Sequence, residues 1–224
     1  MKKTQLFSGL ALAVSMMILI SSCKKDDPIN TTNDGTFKVF TISNVTTVQN
    51  LQADTIVNYI PGTPPSGSGK FTFFNLSTGQ IVPRTDSATN KWDIAFRGTT
   101  IITNNGTSGP GIGGGFVFQG LFDDLKTIPS DSTFYTDNAP VYAIKTGSNK
   151  GWYNYDGANN LINPIPGRVL VIKTATGKYA KVEISNYYKG GATPAASATD
   201  EIKLTEQRYY TFRYTYQPNG TTTF

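Results

Sequence analysis

Apolar and polar residues alternate with period two along much of this chain, and helical periodicity is absent beyond the first two dozen residues. In Lys91–Arg97 (KWDIAFR), Trp92, Ile94 and Phe96 fall on one face, with Lys91, Asp93 and Arg97 opposite. In Lys178–Ser185 (KYAKVEIS), Ala180, Val182 and Ile184 point one way while Lys181, Glu183 and Ser185 point the other. In Arg208–Gln217 (RYYTFRYTYQ), Tyr210, Phe212, Tyr214 and Tyr216 align, with Thr211, Arg213 and Thr215 behind them. Such alternation, rich in aromatic and β-branched residues, predicts half-buried antiparallel strands. Val169–Ile172 is apolar on both faces and predicts a central strand, which Thr174–Gly177 turns back as a hairpin. Further strands are expected at Phe37–Val45, Thr55–Ile60, Lys70–Leu76, Gly115–Gln119 and Val141–Lys145, with one helical turn in Gly120–Lys126. Proline and glycine gather in the connections, at 61–65, 104–115 and 190–198. No internal repeat is visible. The expectation is an all-β fold, a single mostly antiparallel β domain with at most short helical turns.

The beginning of the chain breaks this pattern. Lys2 and Lys3 precede an almost wholly apolar run from Leu6 to Ile20, about 15 residues and short of the roughly 20 that span a bilayer. Ile20-Ser21-Ser22-Cys23 then reads as a lipobox, cut before Cys23 and acylated there. The alternative is a free thiol behind an uncleaved signal anchor. Residues 1–22 are thus expected to be a signal peptide, 23–36 a lipidated tether of linker composition, and 37–224 the β domain. Cys23-Lys24-Lys25-Asp26-Asp27 resembles the surface-export signal of Bacteroidetes lipoproteins, which implies an outer-membrane lipoprotein exposed at the cell surface. A periplasm-facing leaflet is the alternative.

Composition narrows the chemistry. The signal carries two lysines and no acid, so the exported part keeps only a mild excess of base, scattered along its strands. Nucleic acid is therefore not an expected partner. Histidine is absent, all three methionines lie in the signal, and Cys23 is the one cysteine. The exported chain thus has no imidazole or thioether and, once Cys23 is acylated, no thiolate. A His/Cys zinc site and Ser-His-Asp or Cys-His nucleophile systems are excluded. Intrachain disulfides are impossible, so packing must supply the stability.

Few constellations remain. Gly109-Pro110-Gly111-Ile112-Gly113-Gly114 matches G-x-G-x-x-G in letters, but a strand-like Phe116-Val117-Phe118-Gln119 follows where a dinucleotide site needs a helix. It reads instead as a mobile glycine loop, available to a binding rim. Asp93, Asp123, Asp124, Asp131, Glu183, Glu201 and Glu206 sit on polar faces or in turns, where solvated carboxylates are expected, and no enzyme is expected. Twelve tyrosines, all in the exported chain, are the remaining signal. Most are expected to edge the core, but Trp152-Tyr153-Asn154-Tyr155, flanked by loops, could line a pocket for a flat apolar ligand.

Several segments together resemble the HmuY-like family of Bacteroidetes surface lipoproteins. They are Lys70–Val82, Trp92–Phe96, Asn104–Phe118, Gly151–Tyr153, Arg168–Ile184 and Tyr210–Pro218, in the family's order. The resemblance implies a mostly antiparallel β-fold whose loops bind haem at one end. It also implies a role in iron acquisition, passing haem to an outer-membrane receptor. The family's haem ligands are histidines, or methionine in some relatives, and this exported chain has neither. Where a histidine would follow Trp152, the sequence reads Tyr153-Asn154-Tyr155. Tyrosinate can ligate ferric haem if a neighbouring cation such as Lys145, Lys150 or Arg168 stabilises the phenolate. Tyr153, Tyr155 and Tyr142 are the candidates for ligand or pocket lining, and haem is the expected cofactor. The alternative is a non-haem binding or adhesion lipoprotein on the same scaffold.

Overall fold

A computed structural model describes residues 31–61, 63 and 65–224, and residues 31–224 form one compact unit. The signal segment and Cys23 lie outside the described residues. Among the described residues the fold is mostly β, with 41% in strands and 7% in helix when the 3-10 turns at Arg84–Asp86 and Lys189–Gly191 are included, and every strand pair is antiparallel. The largest sheet has six strands in the order β1 (Lys38–Ile42), β2 (Val45–Gln52), β14 (Gln207–Gln217), β13 (Tyr179–Tyr188), β12 (Arg168–Lys173) and β9 (Gly114–Gln119). A four-stranded sheet runs β6 (Gln80–Val82), β5 (Thr72–Asn75), β7 (Ile94–Arg97) and β8 (Thr100–Thr103). Two short hairpins, β3 (Val57–Asn58) with β4 (Ser66–Gly67) and β10 (Tyr153–Asp156) with β11 (Leu161–Pro164), complete the strands. One helix, α1 (Asp200–Glu206), precedes β14 and is capped where the Thr199 side chain accepts from the Ile202 N–H.

The central strands behave as their alternation dictates. Ala180, Val182 and Ile184 of β13 and Tyr210, Phe212 and Tyr214 of β14 face the main core, where they meet Phe74, Ile94 and Phe96 of the second sheet. The Phe96 and Phe212 rings stack at 5.5 Å, so the two sheets close on each other through aromatic pairs. Strand β12 is central and buried on both sides: Leu170 and Ile172 join the main core, whereas Val169 and Val171 join a separate cluster with Phe122, Leu125 and Ile128. The 174–177 turn joins β12 to β13, with the Gly177 N–H donating to the Thr174 carbonyl.

Four local expectations change. Strand β7 is covered on both faces, since Ile94 and Phe96 enter the main core while Ala95 packs with Trp92, Phe73 and Ile102. Asp93 is consequently buried rather than solvated; its two carboxylate oxygens accept N–H bonds from Leu76 (2.8 Å) and Ala175 (3.0 Å). Burial pushes the Asp93 pKa above the usual carboxylate range, against the pull of those two donors. Lys181, expected on a polar face, is buried under Phe122, with Nζ donating to the carbonyls of Phe122 and Leu125. That lysine ties down segment 120–126, where the Leu125 N–H donates to the Leu121 carbonyl and closes the single helical turn expected there. Residues 141–145 hold only an isolated bridge from Asn138 to Val141, not a strand.

The glycine-rich loop is close-packed. The Gly111 N–H donates to the Asn104 side chain, and a Cβ at Gly111 would lie 2.6 Å from the Asn104 carbonyl oxygen. Glycine is there because backbone passes against backbone, not to provide a flexible rim. At the other end, residues 31–36 of the expected tether are stitched to the domain. Gln49 donates to the Thr31 carbonyl and Asn50 to the Thr36 carbonyl, so two polar side chains of β2 are buried yet bonded.

Candidate functional site

A cavity lies where the β10–β11 hairpin, the β7–β8 turn, α1 and the segment around β3 and β4 meet. Its volume is about 580 Å³, within the size range of small-molecule sites. Tyr59 and Tyr155 stand at its open side, 39% and 47% exposed, with Ile162 and Leu204 adding apolar wall. Thr99, Asn160 and Gln207 supply neutral polar groups, and Lys203, Arg208 and Asp200 supply charge.

Beneath the cavity is an aromatic floor. Trp152 is buried, its indole N–H donates to the Thr99 carbonyl at 3.0 Å, and its ring lies about 5 Å from those of Tyr153, Tyr187 and Tyr210. These rings stiffen the site, because Thr99 is held from below on its backbone and on its side chain. The Thr99 hydroxyl donates to Tyr153 Oη at 3.3 Å. Burial pushes the phenols of Tyr187 and Tyr210 well above their ordinary range, so both stay protonated at neutral pH.

The three tyrosines expected from the sequence are separated. Tyr155 lines the cavity, and its hydroxyl donates to Asn160 Oδ1 at 2.8 Å, while Asn160 Nδ2 donates to Asp200 at 3.0 Å. Tyr153 lies one layer below, buried behind Thr99. Tyr142 packs against the cluster of Trp92 and Phe73, away from both. Lys145, Lys150 and Arg168 line a different groove and not the one with Tyr155. Tyr59 and Arg208 were not singled out by sequence reasoning. No local signal marks them: Tyr59 falls near the end of an expected strand, just before a proline- and glycine-rich connection, and Arg208 reads as the first residue of an alternating strand.

Arg208 is the unusual residue of the wall. Its backbone has φ +72°, a left-handed conformation that costs a branched-out side chain like arginine energy unless its surroundings hold it. The Arg208 carbonyl accepts from the Ala53 N–H, and Nη1 donates to the Asp54 carbonyl at 2.8 Å with the Asp54 carboxylate 3.7 Å away. Its Nε, by contrast, is buried with no hydrogen-bond partner. The Tyr187 phenol lies against this guanidinium, and Arg208 gives its side of the cavity a positive charge. Among the described residues, no group of three or more His, Cys, Asp or Glu side chains is placed to hold a metal ion. The oxygen-bearing acidic groups that line this cavity, the phenols of Tyr155 and Tyr59 and the carboxylate of Asp200, are those that could meet an iron there.

The family model described as HmuY protein matches residues 68–200, more than half of the chain. The chain belongs to the HmuY family. Within this HmuY-family protein, the matched stretch includes Thr99, Tyr155, Asn160 and Tyr187 of the cavity, whereas Tyr59, Lys203 and Arg208 lie outside it. Among solved structures, a provisionally named lipoprotein of Bacteroides fragilis is 18% identical, with a TM-score of 0.46 over 81% of this chain and 94% of that one. A provisionally named HmuY-like heme binding protein of Bacteroides vulgatus is 19% identical, with a TM-score of 0.46 over 81% and 97% of the two chains. No curated protein matches. No helix among the described residues is long and apolar enough to cross a membrane.

Proposed function

We propose that the Tyr155 cavity receives haem or a related porphyrin, and that the protein is a binding lipoprotein of haem acquisition rather than a catalyst. The observation that carries this reading is a cavity of about 580 Å³ that brings Tyr59, Tyr155 and Leu204 together with Arg208 in one lining. A porphyrin presents a flat apolar face to the tyrosines and leucine and a carboxylate to the arginine, matching both kinds of wall. When bound, haem supplies the iron centre; the residues of this chain hold and orient the macrocycle. Ligation by Tyr155 requires its phenol to give up the hydrogen bond to Asn160 and lose its proton, so it is a conditional ligand.

That same hydrogen bond favours a second reading, in which the cavity takes a flat carboxylate-bearing ligand without iron. Cys23 is proposed to anchor the domain at the outer membrane, exposed at the cell surface, with an outer-membrane receptor as the partner for ligand transfer. Titration of haemin into protein lacking residues 1–23 tests the first reading. A saturable Soret shift that Tyr155→Phe weakens, and Tyr153→Phe and Tyr142→Phe leave alone, is expected. No shift would remove haem, and a shift indifferent to Tyr155→Phe and Tyr59→Phe would remove tyrosine ligation.

A further inference from the structure

We infer that a second groove, on the open edge of the six-stranded sheet, binds a ligand carrying two or more carboxylate or phosphate groups. The groove encloses about 400 Å³, and Lys145, Lys150 and Arg168 are among the residues that line it. These three cations come from separate places in the chain. Lys145 and Lys150 flank a turn held by the bond from the Lys150 N–H to the Gly147 carbonyl, and Arg168 begins β12.

Elsewhere in the fold, converging charge is compensated: Arg208 lies against Asp54, Arg213 against Glu183 and Asp123, and Lys38 against Asp34. At this groove the side chains of Lys145, Lys150 and Arg168 make no hydrogen bond or ion pair among the described residues, and Asp131 is the one acid in the lining. Three unneutralised cations around one concavity repel one another and concentrate a field that favours anions.

The backbone adds donors of the same sense. Strand β9 is an edge strand, paired to β12 on one side only. On its free side, Gly115 exchanges both of its backbone bonds with Tyr135 at 3.0 Å, and no further bridge joins segment 131–135 to β9. Antiparallel alternation therefore turns the N–H groups of Val117 and Gln119 outward as well, toward the groove that both residues line. Thr133 and Tyr135 also line the groove and bring hydroxyls to it. A ligand with spaced oxyanions would meet cations and open N–H donors together.

The groove shares no lining residue with the Tyr155 cavity, so the inference does not rest on the porphyrin reading. Isothermal titration of the full chain in a neutral detergent at low ionic strength, with pyrophosphate in one arm and citrate in the other, tests it. Saturable binding of at least one probe, weakened by added sodium chloride, is expected; the preferred probe separates phosphate from carboxylate recognition. The variant Lys145→Gln/Lys150→Gln/Arg168→Gln is expected to bind about tenfold more weakly or worse. Lys145→Arg/Lys150→Arg should retain binding, and Lys70→Gln/Lys178→Gln, which removes cations elsewhere, should leave it unchanged. Without anion, the triple variant should melt no lower than the wild type, since it loses repulsion and no partner. Absence of saturable binding, or binding that the triple variant leaves intact, would overturn the inference. So would loss of haemin binding in the folded triple variant, because the groove would then not be a separate site.

Discussion

Asp93→Asn probes the packing on which the two sheets depend. The Asp93 carboxylate is 4% exposed and accepts from two backbone N–H groups, Leu76 after β5 and Ala175 after β12, which lie 99 positions apart in the chain and on different sheets. An asparagine keeps one acceptor oxygen and presents an N–H₂ group to the second donor, leaving a buried N–H unpaired. A lost hydrogen bond to a charged group plus an orphaned donor costs roughly 2–4 kcal/mol, and relief of the buried charge returns part of it. The expected net loss is about 2–3 kcal/mol, or a fall in Tm of roughly 4–12 °C for a domain of this size. Urea and thermal unfolding monitored by tryptophan fluorescence measure it.

The pH dependence has a definite sign. Burial raises the folded-state pKa of Asp93 above the ordinary value of an aspartate, so the folded protein takes up that proton before the unfolded chain does. The wild type therefore gains stability relative to the variant as pH falls from 7 through the raised pKa, and loses that gain as pH rises. The gap between the two proteins should be wider near pH 4 than at pH 7. Asp137, whose pKa burial also raises, is common to both and cancels. A variant within about 0.5 kcal/mol of the wild type, typical of an uninvolved surface site, would refute the reasoning, and so would a gap that narrows on acidification.

Gly111→Ala should cost about 1–3 kcal/mol in urea unfolding, because its Cβ would lie 2.6 Å from the Asn104 carbonyl oxygen and 2.9 Å from Ala175 Cα; unchanged stability would mean that the loop yields. Lys181→Met should cost roughly 1–3 kcal/mol by leaving the Phe122 and Leu125 carbonyls without their donor, and hydrogen exchange should accelerate in segment 120–126. Asn50→Ala removes the side chain that donates to the Thr36 carbonyl and accepts from the Gly190 N–H. Limited proteolysis should then cut within residues 31–36 faster than in the wild type.

Much of the fold was legible because its central strands carry one chemistry per face. Strands β12, β13 and β14 lie where alternation and the 174–177 turn put them. Strand β2 was not read, since Thr46, Thr47, Gln49 and Asn50 give it a polar surface pattern. Gln49 and Asn50 are nevertheless buried, under residues 31–36, whose carbonyls accept from their amide nitrogens, and no local pattern announces a covering segment. Helix α1 is only seven residues long, too short for helical periodicity to show. Trp92 and Asp93 misled because β7 is sandwiched, so alternation there separates two cores rather than core from water.

The cavity was legible only in part. Tyr155 follows from its place beside loops, as did the aromatic content of its neighbourhood. The same pattern also pointed to Tyr153, which shares the strand but is covered by Thr99, and to Tyr142, which the chain carries to another cluster. Tyr59 and Arg208 come from segments some 150 residues apart and meet only through tertiary structure. What singles out Arg208 is its left-handed backbone and unpartnered Nε, neither of which leaves a trace in sequence.

The most direct measurement is an equilibrium titration of protein lacking residues 1–23 with metal-free protoporphyrin IX and with haemin, comparing the wild type with Thr99→Trp. Thr99 lines the cavity directly above the Trp152 floor, and its carbonyl, which holds the indole, survives the substitution. An indole at this position fills the space a porphyrin would occupy. Saturable binding of both ligands by the wild type, weakened about tenfold or more in a Thr99→Trp protein that still unfolds cooperatively, is the predicted result. Failure of the wild type to bind either ligand, or binding that Thr99→Trp does not weaken, would contradict a porphyrin site in this cavity.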